Sequence, residues 1–514
     1  MNKIMKKLSI TFLVAGIIMS SLSGCGTSKR SVPSSTPATT DVAKLDPVKL
    51  KMYILGDKPK DADLVYAKMN ELLTQKINTT IDVNFISWGD HSTKYPMLFS
   101  SGEDFDLIFT ATGWSFYNQT ATRNGFLELT PEMLAKYAPQ SWKNEPKVAW
   151  EQAKVNNKIY MIPSDQDEYS CQVVGIRGDL RQKYNIDPIK SQADLEKYYD
   201  AIAKNEKNMV PLIMGGIQSL EFILQTQAVG IAGLTGTYIA DPLIGYKMDD
   251  TSGKIFSMID TPEYKKYAET MKQYADKGYW SKNSISSKDT RDDGFKAGKA
   301  ASMIWNMATV AKDMKIMNTA HPEWKVEIAD ILPGTKKFVN AYTNNGMAIS
   351  ATSKNSERAL MALDLLRYDR DIYDLSFYGI KGTHFDVVGD NKFKTLAATA
   401  DFPAGSVCPW GWHTSINRTD VDEPAAINEF NTLWEKETIH NPLETFTFDD
   451  SKVKNEMAAI NTIVIQYGLP IQLGLVTDAD KAVETYKEKL KNAGLEKLMK
   501  EAQTQASAFV KAKK

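Results

Sequence analysis

The chain has 514 residues, of which 62 are basic and 63 acidic, and 43% of its residues are hydrophobic. This near balance of charge, with no basic stripe along the sequence, gives no indication of a nucleic-acid or other polyanionic partner. The length exceeds what one hydrophobic core usually supports, so the sequence predicts a well-packed globular protein of two or more domains.

The N-terminus has the pattern of an export signal. Three lysines within the first seven residues precede an apolar stretch that ends at Leu22. This stretch is shorter than the roughly 18–20 residues of a transmembrane helix. Leu22-Ser-Gly-Cys25 follows, as at the cleavage site of a bacterial lipoprotein. We therefore expect a signal peptide at 1–24, lipidation of Cys25, and a protein on the extracytoplasmic face of the cell membrane.

A polar segment separates this anchor from the rest of the chain. Ser, Thr and Pro occupy most of positions 26–40. Such a composition cannot bury enough apolar surface to order itself. We expect residues 25–46 to form a flexible tether.

Helix and strand patterns alternate in the body. Asp61 to Lys76 has helical apolar spacing, and Ile81 to Phe85 alternates like a half-buried strand. A second helix is predicted at 92–101 and a second strand at 106–109. This alternation predicts an α/β fold with largely parallel sheets.

Three later helix starts carry capping signals. Thr130 and Thr261 each precede Pro-Glu, and Ser191 precedes Gln-Ala-Asp. A hydroxyl followed by a helix-compatible Pro or by an acidic residue is typical of a helix N-terminus. We therefore predict helices beginning after these three residues.

Four groups of motifs occur in a characteristic order and spacing, namely Asn157 to Pro163, Gly175 to Leu180 with Tyr184 to Asp187, Phe295 to Ile304, and Asn345 to Ser350. Together they resemble one family, the extracellular solute-binding proteins of the maltose-binding type. The segments Gly379 to His384 and Trp410-Gly411-Trp412 resemble a lipoprotein subfamily with an extra C-terminal domain.

The resemblance implies a two-lobed periplasmic-binding-protein-like fold with hinge crossovers. Lobe 1 is expected at 48–163 plus 346–375, lobe 2 at 168–340, and a C-terminal extension packing on the lobes at 376–514. The hinge is expected near 163–167 and 342–345. The implied function is solute capture for an ABC importer, with permease subunits as partners and the protein itself a monomer.

The positions of the tryptophans favour an oligosaccharide as ligand. Trp88 and Trp114 each follow a predicted strand, and ligands of open α/β sheets bind beyond the carboxyl ends of strands. An indole offers a flat apolar surface to a sugar ring, and polar side chains would bind its hydroxyls. The predicted ligand-binding residues are Trp88, Trp114, Asp165, Asp167, Trp305, Asn345, His384, Trp410, Trp412 and His413.

Other functions stay open at this point. A peptide or amino-acid ligand would need an Arg for its carboxylate, and Arg123 or Arg177 could serve. A lipid-anchored glycoside hydrolase needs two carboxylates about 5–9 Å apart, which 63 acidic residues do not exclude. A structural adaptor that binds no small molecule is a third alternative.

Recognisable catalytic and cofactor motifs are missing from the sequence. The five histidines lack metal-ligand spacing, and no phosphate-binding or nucleophile motif is found. The sequence therefore predicts a protein that is not an enzyme and has no metal or cofactor. Cys171 and Cys408 remain besides Cys25, and two buried thiols are favoured over a disulfide.

Overall fold

The structure is a computed structural model that describes residues 45–112, 114–169, 172–214, 228–234, 243–287, 289–446 and 448–512. The strands are β1 (Val48–Leu55), β2 (Thr79–Ile86), β3 (Leu107–Thr110), β4 (Lys154–Val155), β5 (Lys158–Ile159), β6 (Met161–Pro163), β7 (Gln172–Ile176), β8 (Val210–Leu212), β9 (Ile231–Gly233), β10 (Ile244–Lys247), β11 (Phe256–Ser257), β12 (Ala300–Asn306), β13 (Glu327–Ala329), β14 (Gly346–Ile349), β15 (Phe385–Val388), β16 (Lys392–Thr395) and β17 (Thr419–Asp420).

The α-helices are Ala62–Ile77, His91–Ser100, Tyr117–Thr122, Pro131–Tyr137, Pro139–Asn144, Lys147–Gln152, Gly178–Lys183, Gln192–Asn205, Pro262–Asp276, Arg291–Lys296, Met307–Ala320, Ser356–Tyr368, Arg370–Tyr378, Ala425–Glu437, Lys454–Ile463, Leu469–Gln472, Ala479–Asn492 and Leu495–Ala512. In the part of the chain that is described, none of these helices has the length and apolar content needed to cross a membrane.

The predicted helix starts are confirmed by their hydrogen bonds. The hydroxyls of Thr130 and Thr261 accept from the third backbone N–H that follows each of them. Ser191 accepts from the backbone N–H of Asp194 in the same way. Local side-chain chemistry therefore sets where these three helices begin.

Lobe 1 is built on a five-stranded sheet in the order β2-β1-β3-β14-β6. β1 pairs in parallel with β2 and β3, whereas β14 runs antiparallel to β3 and β6. Because β1, β2 and β3 are parallel, their carboxyl ends meet at one edge of the sheet. The start of β14 lies at the same edge, since Gly346 is paired with Thr110.

Lobe 2 contains a four-stranded sheet in the order β13-β7-β12-β8 and a three-stranded sheet in the order β11-β10-β9. In the first of these, β12 runs antiparallel to β7, and Asn306 at its end is paired with Gln172. Gln172 is the first residue of β7, which follows directly after the chain has crossed from lobe 1. The end of β12 therefore lies at the side of lobe 2 nearest the crossing.

The residues after 375 are shared between the two lobes. Buried side chains from Phe385 to Trp412 belong to the same hydrophobic core as β1 and β3. Buried side chains from Leu443 to Val510 belong instead to the core of lobe 2. The predicted C-terminal extension thus packs on both lobes, but as two separate pieces.

Three segments connect the lobes and lie side by side. The backbone N–H of Ser164 donates to the carbonyls of Tyr342 and Asn345, both at 3.1 Å. Lys337 in the second segment forms a β-bridge with Thr438 in the third. A third segment, from the C-terminal part of the chain, therefore lies beside the predicted hinge near 163–167 and 342–345.

Candidate functional site

Three tryptophans form a continuous aromatic surface on lobe 1, which we call the indole row (Trp88, Trp114 and Trp410). The ring of Trp88 lies 6.1 Å from that of Trp114 and 6.1 Å from that of Trp410, with interplanar angles of 28° and 19°. Trp88 is 52% exposed and Trp114 is 38% exposed. An exposed array of near-parallel indoles is a large apolar surface that water solvates poorly.

The positions of two indoles follow from the sheet. Trp88 comes two residues after β2, and Trp114 comes four residues after β3. Phe109 of β3 is fully buried, and its ring contacts Trp114 at 5.2 Å and Trp410 at 6.3 Å. The indole row therefore lies at the edge of lobe 1 where the parallel strands end.

Trp410 reaches this surface because of the turn that carries it. Cys408 has φ of 61°, a left-handed conformation that reverses the chain before Pro409–Gly411. A Cβ on Gly411 would meet the sulfur of Met347 at 2.9 Å and the ring of Phe109 at 3.0 Å. Since glycine allows this close approach, the turn lies flat on the sheet with Trp410 partly exposed on one side.

Three acidic residues of the first crossing segment form the second part of the site, here named the hinge acid cluster (Asp165, Asp167 and Glu168). Asp167 accepts a hydrogen bond of 2.6 Å from the hydroxyl of Tyr342. Asp165 accepts from the hydroxyl of Tyr368 at 3.1 Å. These partners leave further carboxylate lone pairs unused, since each oxygen can accept about two hydrogen bonds.

Asn344 links the acid cluster to the indole row. The indole N–H of Trp114 donates to the carbonyl of Asn344 at 2.9 Å. The side-chain amide of Asn344 donates to Glu168 at 3.0 Å, and that of Asn345 donates to the same carboxylate at 2.8 Å. Burial raises the pKa of Glu168, which the amides partly offset. Asn344 therefore contacts both the indole of Trp114 and the carboxylate of Glu168, so the stacking surface lies next to an acidic hydrogen-bond acceptor.

His413 borders the same region from the loop that carries Trp410. Burial lowers the pKa of His413 to about 4, although the nearby carboxylate of Asp165 acts in the opposite direction. At neutral pH the imidazole is therefore uncharged. Arg367, another charge in this area, is fully buried in an ion pair with Glu145.

Lobe 2 contributes Trp305, backed by an arginine. Trp305 lies within β12, which extends through Asn306, and it pairs with Val173 of β7. The guanidinium of Arg291 lies 3.3 Å above the centre of the Trp305 ring. One face of this indole is therefore covered by a cation, which leaves the opposite face for other contacts.

A buried carboxylate lies near Arg291. Asp313 is fully buried on the helix Met307–Ala320, and neither of its oxygens has a hydrogen-bond partner among the described residues. Burial raises the pKa of Asp313 to about 6, although nearby Lys312 and Lys296 act in the opposite direction.

Two predicted ligand contacts are instead part of the lobe 1 interior, which corrects their predicted role. His384 is fully buried; its Nε2 lies 3.1 Å from Asp61, and its Nδ1 accepts from the backbone N–H of Ile380. Trp412 is also fully buried and donates to the hydroxyl of Ser376 at 3.0 Å. Their polar atoms already have partners within the fold, so we no longer place them in the site.

The structure thus brings Trp88, Trp114, Trp410, Asp165, Asp167, Asn345 and His413 to the edge of lobe 1 and the crossings, and Trp305 to the facing end of β12. Asn344, Tyr368 and Arg291 also belong to the site but were missed. Asn344 directly precedes the predicted Asn345, which was a usable signal. Tyr368 and Arg291 lie on helices and carry no local signal of their role.

Of the three cysteines, the structure describes only Cys408. Cys408 is a buried free thiol, and burial raises its pKa. Cys171 and Cys25 lie outside the described residues. Within those residues, no group of three or more His, Cys, Asp or Glu side chains is arranged to hold a metal ion.

Comparison with known proteins supports the resemblance found in the sequence. Residues 442–511 match a family model described as a domain of unknown function, DUF3502. A carbohydrate ABC transporter substrate-binding protein of Streptococcus pneumoniae is 26% identical over 479 residues, which cover 90% of this chain and 91% of that protein. A polygalacturonan/rhamnogalacturonan-binding protein of Bacillus subtilis is 25% identical over 46% of this chain and 50% of its own length.

A solved structure matches the same part of the chain. The N-glycan transport solute-binding protein of Streptococcus pneumoniae, in complex with Man5GlcNAc, has a TM-score of 0.71 at 24% identity. The match covers 91% of this chain and all of that one. The chain is therefore similar over 90% of its length to a carbohydrate ABC transporter substrate-binding protein, and the predicted two-lobed solute-binding fold is confirmed.

Proposed function

We propose that this chain is the extracytoplasmic solute-binding component of an ABC import system and that it binds an oligosaccharide between its lobes. The observation that carries this proposal is the indole row, a set of three partly exposed, near-parallel rings at the edge of lobe 1 next to the crossings. The kinship with a carbohydrate substrate-binding protein supports the same ligand class.

The chemistry of the two parts of the site suits a sugar. A pyranose presents C–H groups on its flat face and hydroxyls on its edge. The indoles accept the flat face, and Asp165 and Asp167 can accept hydrogen bonds from hydroxyls. The ligand is bound without chemical conversion, which agrees with the transport role of the homologous protein.

The hinge gives binding a mechanical consequence. A ligand that contacts both the indole row and Trp305 stabilises the closed arrangement over the open one, because only the closed arrangement allows both contacts. Solute-binding proteins of the periplasm are a known example of hinge closure around ligands. The permease can then distinguish the loaded protein from the empty one by its shape.

Binding is tested by titrating the protein with a panel of oligosaccharides while tryptophan fluorescence and calorimetric heat are recorded. We expect saturable binding with a change in indole emission, and recovery of unaltered glycan after long incubation. Hydrolysis products would instead indicate an enzyme, and the absence of binding across a broad panel would contradict the proposal.

Membrane attachment is a separate part of the proposal and rests on Cys25. Two acyl chains suffice for stable anchoring. We expect Cys25→Ser to release the protein from the membrane fraction while oligosaccharide binding is unchanged. Retention of this variant in washed membranes would contradict the lipid anchor and leave the binding proposal intact.

A further inference from the structure

The basic side chains that follow the carboxyl ends of β1 and β2 are already paired with acids. Lys58 lies 2.7 Å from Asp63, and Lys60 lies 2.8 Å from Asp401. Lys94, on the helix after Trp88, lies 2.7 Å from Asp90. Each of these lysines is therefore neutralised by a neighbour at this edge of lobe 1.

Among the described residues, no lysine or arginine forms an ion pair with the hinge acid cluster. Asp165, Asp167 and Glu168 accept hydrogen bonds only from neutral groups, which are hydroxyls, amides and a backbone N–H. Arg367 nearby is already paired with Glu145, and His413 is uncharged at neutral pH. The carboxylates of Asp165 and Asp167 therefore give the polar part of the site an excess of negative charge, to which the more buried Glu168 adds less.

The described charges of lobe 2 do not offset this excess of negative charge. Arg291 stacks on Trp305, and its guanidinium lies 3.3 Å from the carboxylate of Asp292. Asp313 adds a second carboxyl group close to the same guanidinium. The charge of this arginine is thus largely balanced by acids of its own lobe.

We propose that the site selects neutral oligosaccharides and rejects glycans whose sugar units carry a carboxylate, such as uronates. This inference rests on the proposed function and narrows its ligand class. Sugar hydroxyls donate hydrogen bonds to the carboxylates of the hinge acid cluster, whereas a uronate would place a like charge beside them. Like-charge contacts of this kind are a common means of excluding wrong ligands.

The test uses a matched pair of ligands. The tightest neutral glycan found in the panel is compared with the same glycan oxidised at its primary C6 hydroxyls to the uronate. We expect the dissociation constant of the uronate to be at least tenfold higher in low salt, and the ratio to shrink in 0.5 M NaCl because salt screens repulsion. An equal or tighter affinity for the uronate, or an acidic glycan as the tightest member of the panel, would overturn the inference.

Oxidation of the ligand both adds a negative charge and removes a C6 hydroxyl, and protein variants separate these two effects. Asp167→Asn keeps the size of the side chain and removes one charge, so it should reduce the uronate-to-neutral ratio several-fold. Glu168→Gln should act in the same direction but more weakly, because burial raises the pKa of Glu168 and so disfavours its charged form. Asp480→Asn is the matched control, because Asp480 is exposed and paired with Lys265 in lobe 2; its ratio should equal that of the wild type.

The outcomes distinguish this inference from the function itself. An unchanged ratio in both cluster variants would overturn the role of the hinge acid cluster even if neutral glycans bind. Failure of every glycan to bind would instead overturn the proposed function and, with it, this inference.

Discussion

The two lobes contribute unequal surfaces to the candidate site. Lobe 1 presents three indoles in a row, whereas lobe 2 presents Trp305 with one face covered by Arg291. Lobe 1 therefore provides most of the stacking area, and lobe 2 adds a contact when the hinge closes. We infer from this difference that ligand capture depends mainly on lobe 1 and ligand enclosure on lobe 2, and point mutations can separate the two.

The largest expected effect comes from destabilising lobe 1 alone. Arg367 and Glu145 are both fully buried and paired, so Arg367→Met leaves an uncompensated buried carboxylate. We expect the free energy of unfolding to fall by about 3–5 kcal/mol in urea titrations. A single cooperative unfolding transition for the whole protein would show that the lobes do not unfold separately and would contradict an effect confined to lobe 1.

The double variant Arg367→Met/Glu145→Gln should recover part of this loss, because it removes the unpaired charge. The exposed pair of Lys265 and Asp480 in lobe 2 is the control. Lys265→Met should leave the urea midpoint unchanged, since exposed ion pairs contribute little.

Removal of the central indole should have the next largest effect. Trp88→Ala interrupts the row, and we expect binding of the best oligosaccharide to weaken by about 2 kcal/mol, or roughly thirtyfold. Calorimetry measures this directly. An effect smaller than that of Trp305→Ala would reverse the assigned roles of the two lobes.

Trp324 supplies the control for this measurement. Its ring stacks on Arg177 at 4.0 Å and on His321 at 4.1 Å. It precedes β13, whose Glu327 pairs with Ile176 at the end of β7 away from the crossing. Trp324→Ala should therefore leave the affinity unchanged.

The pH dependence of stability should differ in sign between the lobes. The pKa of His413 in lobe 1 is lowered to about 4, so the unfolded state gains a proton first and stability falls as pH decreases from 6.5 to 4. The pKa of Asp313 in lobe 2 is raised to about 6, so stability falls as pH increases from 4 to 6.

Between pH 4.5 and 6.0 each group changes the free energy of unfolding by about 1–2 kcal/mol, and the two changes oppose each other in the wild type. In urea titrations at pH 4.5 and 6.0, Asp313→Asn should gain stability with rising pH more steeply than the wild type. His413→Gln should gain it less steeply. Parallel profiles for all three proteins would contradict the assigned titrations.

The smallest expected effect is on the lobe 2 indole. Trp305→Ala should weaken binding by about 1 kcal/mol, or roughly fivefold, because only one face of the ring is available. Small-angle scattering should show less compaction on addition of ligand than in the wild type. Full compaction with unchanged affinity would remove Trp305 from the site.

The sequence predicts local structure here better than it predicts long-range contacts. The caps of Thr130, Ser191 and Thr261 depend on neighbouring residues, and all three are confirmed. His384 could not be assigned in this way, because its partner Asp61 is 323 positions away.

The pair Trp410 and Trp412 shows the same limit within one turn. Both indoles flank Gly411, yet one is partly exposed and the other is fully buried. The difference depends on how closely Gly411 approaches Met347 of β14. The local sequence carries no information about this distance, which is why it predicts that both Trp410 and Trp412 contact the ligand.

The division of the C-terminal residues between the lobes has a consequence for the order in which the chain can fold. The core of lobe 1 needs side chains as far along the chain as Trp412, and that of lobe 2 needs side chains up to Val510. Neither core can be completed until most of the polypeptide has been synthesised, so a nascent chain lacks the contacts that would fold it early. This order suits the export that we propose for the protein, because the chain would stay unfolded while it passes through a translocation channel.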